Sequence, residues 1–166
     1  MSVIETRTSV RTYTDEPVGE EEVRRILNAG FSAPSAKNIR PYEFIVVTDR
    51  KRLERLADTG DTAAMLKNAA LAIAVIGDTG KQPAAELLIA DCAAVTENML
   101  LRIEELGLGG CWCGILRDGS WYPRVREVLG LPAHMEPVSL IAVGHARRKR
   151  RPKDRFEEEK LHYDVY

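Results

Sequence analysis

Residues 83–106 constrain this chain more than any other stretch, because they read as one helix of about 36 Å that is apolar on nearly every side of its first half. Leu87, Leu88, Ile89, Ala90, Cys92, Ala93, Ala94 and Val95 leave it almost no polar face. Such a helix has to be buried all round, in a core or against a second subunit. Asp91 sits inside that apolar band. A lone carboxylate there is costly unless a donor meets it, so Asp91 is expected to cap a backbone group. Gly107-Leu108-Gly109-Gly110 ends the helix with residues that accept left-handed backbone, and these glycines do not form the G-x-G-x-x-G pattern of a dinucleotide site.

The other segments alternate in type. Glu20–Phe31 reads as an amphipathic helix with Val23, Ile26 and Leu27 inward and three glutamates at the end that favours negative charge. Residues 42–47 read as a buried strand. Residues 50–57 read as a helix capped by Asp49 and closed by Gly60, and 62–68 as another short helix. The wholly apolar run 71–77 fits a central strand. Residues 111–115 should be extended, 121–129 helical, and 137–145 the last strand. A chain of 166 residues suits a single domain that buries roughly two thirds of its unfolded surface.

Charge narrows the partners. Lys and Arg total 24 against 25 Asp and Glu, so no global basic field favours nucleic acid. The basic run 147–151 is brief and is answered by Glu157-Glu158-Glu159, which ranks it below a phosphate-anchoring segment. Three cysteines without framework spacing point to a reducing compartment, the cytoplasm. The first residues carry no signal-peptide pattern, and the longest apolar run, 69–76, is too short to span a membrane. The expected partner is therefore a small molecule, with neither nucleic acid nor membrane.

Three segments carry candidate chemistry. Arg7, Ser9 and Arg11 recur at spacing two, which in extended backbone puts a hydroxyl between two guanidiniums; this is a phosphate cradle or a solvated basic edge. Residues 32–42 break a helix and feed a strand, and Ser35, Ala36 and Asn38 let backbone approach a flat ligand or another chain; an ordinary connector is the competing reading. Cys111 and Cys113 fall on one face of an extended segment, as two small buried hydrophobes without the geometry of a disulfide or the further ligands of a zinc site. His134 and His145 have no partnered carboxylate in sequence and read as surface or packing residues. No triad, metal cluster or carboxylate pair is present in the sequence pattern.

Arg7-Thr8-Ser9-Val10-Arg11, Ala33-Pro34-Ser35-Ala36-Lys37-Asn38, the helix 91–106, Gly107-Leu108-Gly109 with Cys111-Trp112, and Pro152-Lys153-Asp154-Arg155, taken in that order, resemble the FMN-dependent nitroreductase family over nearly the whole chain. The resemblance implies an α+β (α/β/α) fold in one domain, 1–166, with a mixed central sheet flanked by helices. It also implies an intertwined homodimer that holds FMN at the subunit interface, with 147–166 as an extension contacting the partner. Arg7, Thr8 and Ser9, joined by Lys153 and Arg155, would hold the FMN phosphate region. Arg11 would lie by the pyrimidine edge, where a cation stabilises reduced flavin. Pro34, Ser35, Ala36 and Asn38 would reach the flavin bound mainly by the other subunit, and the backbone of Cys113 and Gly114 would face flavin N5.

The activity so implied is hydride transfer from NADH or NADPH through FMN to a nitroaromatic, quinone or enone acceptor, with no catalytic side chain and no metal. Other reactions of the fold (dehalogenation, flavin fragmentation, azoline oxidation) and a non-turnover FMN-binding module are the alternatives. Arg40 and Tyr42 stand where many members carry Gln and Trp, and Cys113 where an acidic residue is usual.

Overall fold

The computed structural model describes residues 2–57, 61–148 and 154–166. Its centre is β2 (Leu71–Asp78), buried at every position. The strand pairs antiparallel with β1 (Tyr42–Val47) on one side and β4 (Met135–Gly144) on the other, and β3 (Gly109–Gly114) lies outside β4, giving the order β1-β2-β4-β3. Successive side chains of β2 point to opposite faces, and both faces are covered, which is why its sequence reads as continuous rather than alternating. Leu71, Ile73 and Val75 pack under α2 (Glu20–Phe31) and α4 (Ala85–Glu105), against Ile26, Cys92, Val95 and Met99. Ala72, Ala74 and Ile76 pack under α3 (Arg50–Ala57), the 3-10 segment Asp61–Asn68 and α5 (Tyr122–Leu129), against Leu53, Leu56, Leu66 and Val125.

This is the expected α+β layering of a sheet between helices. All four strands are antiparallel, and the parallel component of the expected mixed sheet is the bridge between Ser9 and Gly110. The local signals hold as well. The Glu22 carboxylate accepts the Gly19 N–H at 2.8 Å, and Asp49 Oδ1 accepts the Arg52 N–H at 2.9 Å, each satisfying a donor that a helix start leaves open. Residues 62–68 are helical but wound as a 3-10 segment, and Gly60, expected to close α3, lies outside the described residues.

Two expectations need correction. β1 is an edge strand, half-exposed, with Glu43 and Val46 open to solvent, because nothing pairs with its outer side among the described residues. α4 is not buried all round by its own chain. Leu88, Cys92, Val95 and Met99 are buried, yet Leu87 and Ile89 stay 45% and 57% exposed. A second apolar surface lies in the C-terminal segment, where Phe156, Tyr163 and Val165 are 75–78% exposed.

One buried polar pair ties α4 to the sheet. The Thr96 hydroxyl donates to the Cys92 carbonyl at 2.7 Å, so the Ser139 hydroxyl of β4 is the donor in their 2.9 Å contact. Both residues are fully buried. Thr96→Val should therefore leave the Ser139 hydroxyl without a partner and lower the unfolding free energy by about 1–3 kcal/mol, whereas Thr96→Val with Ser139→Ala should recover most of the loss. Urea unfolding of the two variants measures this, and equal losses in both would contradict the pairing.

Candidate functional site

The first group of site residues is laid along β3. Val10 donates its N–H to the Gly110 carbonyl at 2.9 Å, and Arg147 donates its backbone N–H to the Thr12 carbonyl at 2.9 Å, so residues 9–14 lace the start of β3 to the end of β4. Glycine is required for this close approach: a Cβ at Gly109 would stand 2.8 Å from Val10 Cγ1, and one at Gly144 would stand 2.9 Å from the Tyr13 ring. Tyr13 is buried beneath the segment, and its hydroxyl donates to the Val10 carbonyl at 2.7 Å. Desolvation holds that phenol well above its ordinary pKa, so it remains a donor.

Arg7, Thr8 and Ser9 are thereby half-buried and Arg11 is exposed. The Arg7 Nε pairs with Glu97 Oε1 of α4 at 3.1 Å, which fixes the guanidinium and leaves its two terminal nitrogens for another anion. The Cys111 thiol is lowered to about 7, first by the Cys113 thiol beside it and then by Arg11 and Arg7, against the opposing effect of burial. Cys113 moves upward, through Cys111 and burial. Both thiols are buried on one face of β3, as expected, and unoxidised. Past them the strand opens: Gly114 is exposed, and a Cβ there would meet nothing nearer than Trp112 Nε1 at 3.9 Å.

The second group is the loop between α2 and β1. It turns through Ala36–Asn38, with Lys37, Asn38 and Arg40 at φ 52°, 55° and 54°, a region that non-glycine residues enter at a cost of about 1–3 kcal/mol each. Hydrogen bonds hold it there. Ser35 Oγ accepts the Arg40 N–H at 2.9 Å, the Ser35 carbonyl accepts the Asn38 N–H at 2.9 Å, and Tyr42 donates its hydroxyl to the Ala33 carbonyl at 3.2 Å. The long-range anchor is Asp91 of α4, whose Oδ1 accepts the Ala36 N–H at 2.8 Å. Asp91 thus meets a backbone donor as expected, while its Oδ2 is buried without a partner. Pro34 and Asn38 remain exposed and Ser35 and Ala36 half-buried.

One helix therefore supports both groups, since Asp91 and Glu97 lie about 9 Å apart along the α4 axis. Glu97 was not foreseen from sequence. The available signal was an acid in the middle of a largely apolar helix, though its partner lies 90 positions away in the chain. Lys153 lies outside the described residues, with Pro152 and the end of the basic run; Arg155 is exposed in the C-terminal segment. His145 does have a carboxylate partner, Glu16, at 3.5 Å from Nδ1, brought to it by the segment that laces β4. Among the described residues no three His, Cys, Asp or Glu side chains converge on a common point, and no described helix is long and apolar enough to cross a membrane.

Residues 4–60 and 58–145 match the model of the nitroreductase family. The chain belongs to the nitroreductase family. Its similarity to individual family members is spread over the full length. A protein of Archaeoglobus fulgidus, provisionally named an NADH dehydrogenase/NAD(P)H nitroreductase, is 35% identical over all of this chain and 98% of its own. A crystal structure of a protein from Parabacteroides distasonis that carries the same provisional name superposes with a TM-score of 0.94 at 39% identity, covering 99% of this chain and 96% of that one. An FMN-dependent nitroreductase from Clostridium difficile superposes with a TM-score of 0.92 at 30% identity, covering 99% of both chains. The nitroreductase fold is thus shared with both solved structures.

Proposed function

We propose that the protein is an FMN-dependent NAD(P)H oxidoreductase of nitroreductase type that works as a homodimer in the cytoplasm. The observation that carries this reading is the lacing of the segment that bears Arg7 and Arg11 onto β3, the strand that ends in the open backbone of Gly114. A planar, anionic cofactor needs both features, a place for its ring against backbone and cations for its phosphate and its electron-rich edge. When bound, FMN supplies hydride acceptance from NADH or NADPH and its return to a small organic acceptor. Arg7, clamped by Glu97, holds the phosphate with Thr8, Ser9 and, from the C-terminal segment, Arg155. Arg11 stabilises negative charge at the pyrimidine edge, and the backbone at Cys113 and Gly114 lies against the reacting face.

The dimer follows from what a single chain leaves open. Leu87 and Ile89 on α4 and the apolar side chains of the C-terminal segment stay largely open among the described residues, and a second copy would cover them. Pro34, Ser35, Ala36 and Asn38 then serve the flavin of the other subunit. Arg11→Gln tests the reading. The side chain is exposed, so the fold should be unchanged, while NAD(P)H oxidation with a quinone acceptor should slow by about tenfold to a hundredfold. Unaltered turnover in that variant would remove Arg11 from the site, and absence of turnover in the parent protein would favour a flavin-binding module instead.

A further inference from the structure

The largest side chain on β3 is Trp112, which is 36% exposed. Cys111 and Cys113 pack into the cluster with α3 and α5, so Trp112 and Gly114 project to the opposite face of the strand. That face lies against α4, because a Cβ at Gly110, which shares it, would stand 3.0 Å from Leu100 Cδ2. Arg7 reaches the same side through its pair with Glu97. The indole N–H of Trp112 has no hydrogen-bond partner among the described residues, whereas that of Trp121 is buried and donates to the Leu56 carbonyl at 3.0 Å. We propose that Trp112 donates its indole N–H to O4 of the flavin, a contact that rests on the FMN reading of this site.

Direction is the first argument. Gly114 has no Cβ, and the atom nearest to where one would stand is Trp112 Nε1, at 3.9 Å. A ring laid over Gly114 fills the space that the indole nitrogen borders. Backbone pairing is the second. Ile115 donates its N–H to the Val138 carbonyl at 3.0 Å, and Gly110 accepts the Val10 N–H at 2.9 Å from the other side of the strand. Backbone groups alternate between the two edges, so those of Trp112 and Gly114 point away from β4, as those of Gly110 do. Past the Ser9 bridge no other backbone group pairs with them among the described residues, and the Gly114 N–H and the indole N–H stand as two donors at the open end of one edge. The chemistry of the partner is the third. Flavin carries two neighbouring acceptors, N5 and O4, on one side of its ring, followed by the N3–H donor. An indole N–H can only donate, so with the backbone at N5 it falls to O4 and cannot serve N3. A donor there fixes the register of the ring over Gly114.

Trp112→Phe keeps an aromatic ring and removes the donor. Its FMN-free melting temperature should stay close to that of wild type, FMN should bind about threefold to tenfold more weakly, and the infrared C4=O stretch of bound FMN, identified with an isotope label at C4, should move to higher frequency. Trp121→Phe should lower the melting temperature and leave both flavin readings unchanged. The wild type gives a second reading that needs no variant. With two tryptophans in the chain it has two indole N–H resonances, and the rapidly exchanging one should shift downfield and become protected from exchange when FMN is added. A C4=O band unmoved in Trp112→Phe, or an indole resonance unmoved by FMN, overturns the proposal even where affinity falls, since looser packing weakens binding without touching that bond. A wild type that takes up no FMN overturns the flavin reading and the contact with it, whereas bound FMN with an unmoved band overturns the contact alone.

Discussion

Replacing Asp91 with alanine is expected to weaken FMN binding by at least about tenfold while the sheet and its helices stay folded. The loop it supports holds Lys37, Asn38 and Arg40 in left-handed backbone, and such residues persist only where the surroundings over-determine them. Asp91 reaches the turn from α4 by a hydrogen bond from the Ala36 N–H. Its loss leaves that donor unpaired, costing about 1–3 kcal/mol, and frees the loop to relax toward ordinary dihedrals. Asp91→Asn separates geometry from charge. An amide oxygen can still accept the Ala36 N–H, and the amide nitrogen replaces an Oδ2 that has no partner among the described residues. FMN titration by fluorescence quenching should therefore rank wild type and Asp91→Asn close together and Asp91→Ala well below them. Equal affinity in all three would show that Asp91 does not position the loop.

If the chain forms the proposed homodimer, deleting residues 154–166 should convert it largely to monomer. Phe156, Tyr163 and Val165 in that segment are 75–78% exposed, and Leu161 is 46% exposed. Burying a large apolar side chain contributes about 1.5–3 kcal/mol, and even a fraction of that from four such residues changes a dimerisation constant by a hundredfold or more. The chain's own core should not suffer, since both hydrophobic clusters are built from residues before 147. Light scattering coupled to size exclusion at micromolar concentration reads the state directly. Oligomeric state is the right readout here, because Arg155 leaves with the segment and its loss alone would weaken FMN. A truncated chain that stayed fully dimeric would place the interface elsewhere.

Much of the fold could be read from local pattern. The helix over Glu20–Phe31 and the strand over Tyr42–Val47 appear with the bounds that their amphipathic pattern and the helix-breaking segment 32–42 between them imply. What pattern could not supply was which strand ends a sheet. A run such as Tyr-Glu-Phe-Ile-Val-Val looks the same at an edge or in the middle, and the order β1-β2-β4-β3 is set by pairings between distant segments. The same division runs through the site. A carboxylate in the apolar band of α4 demanded a donor, so Asp91 was legible, yet its partner Ala36 is 55 positions away. Glu97, Glu16 and the Thr96–Ser139 pair escaped for that reason.

The central claim is that this chain carries a flavin that NAD(P)H reduces. A visible spectrum of the purified protein, taken before and after anaerobic addition of NADH and then of NADPH, tests it most directly. A yellow flavin band at one FMN per chain that bleaches on addition of either nucleotide is the predicted result. A colourless protein that takes up no added FMN, or a flavin band unmoved by both nucleotides, would contradict it.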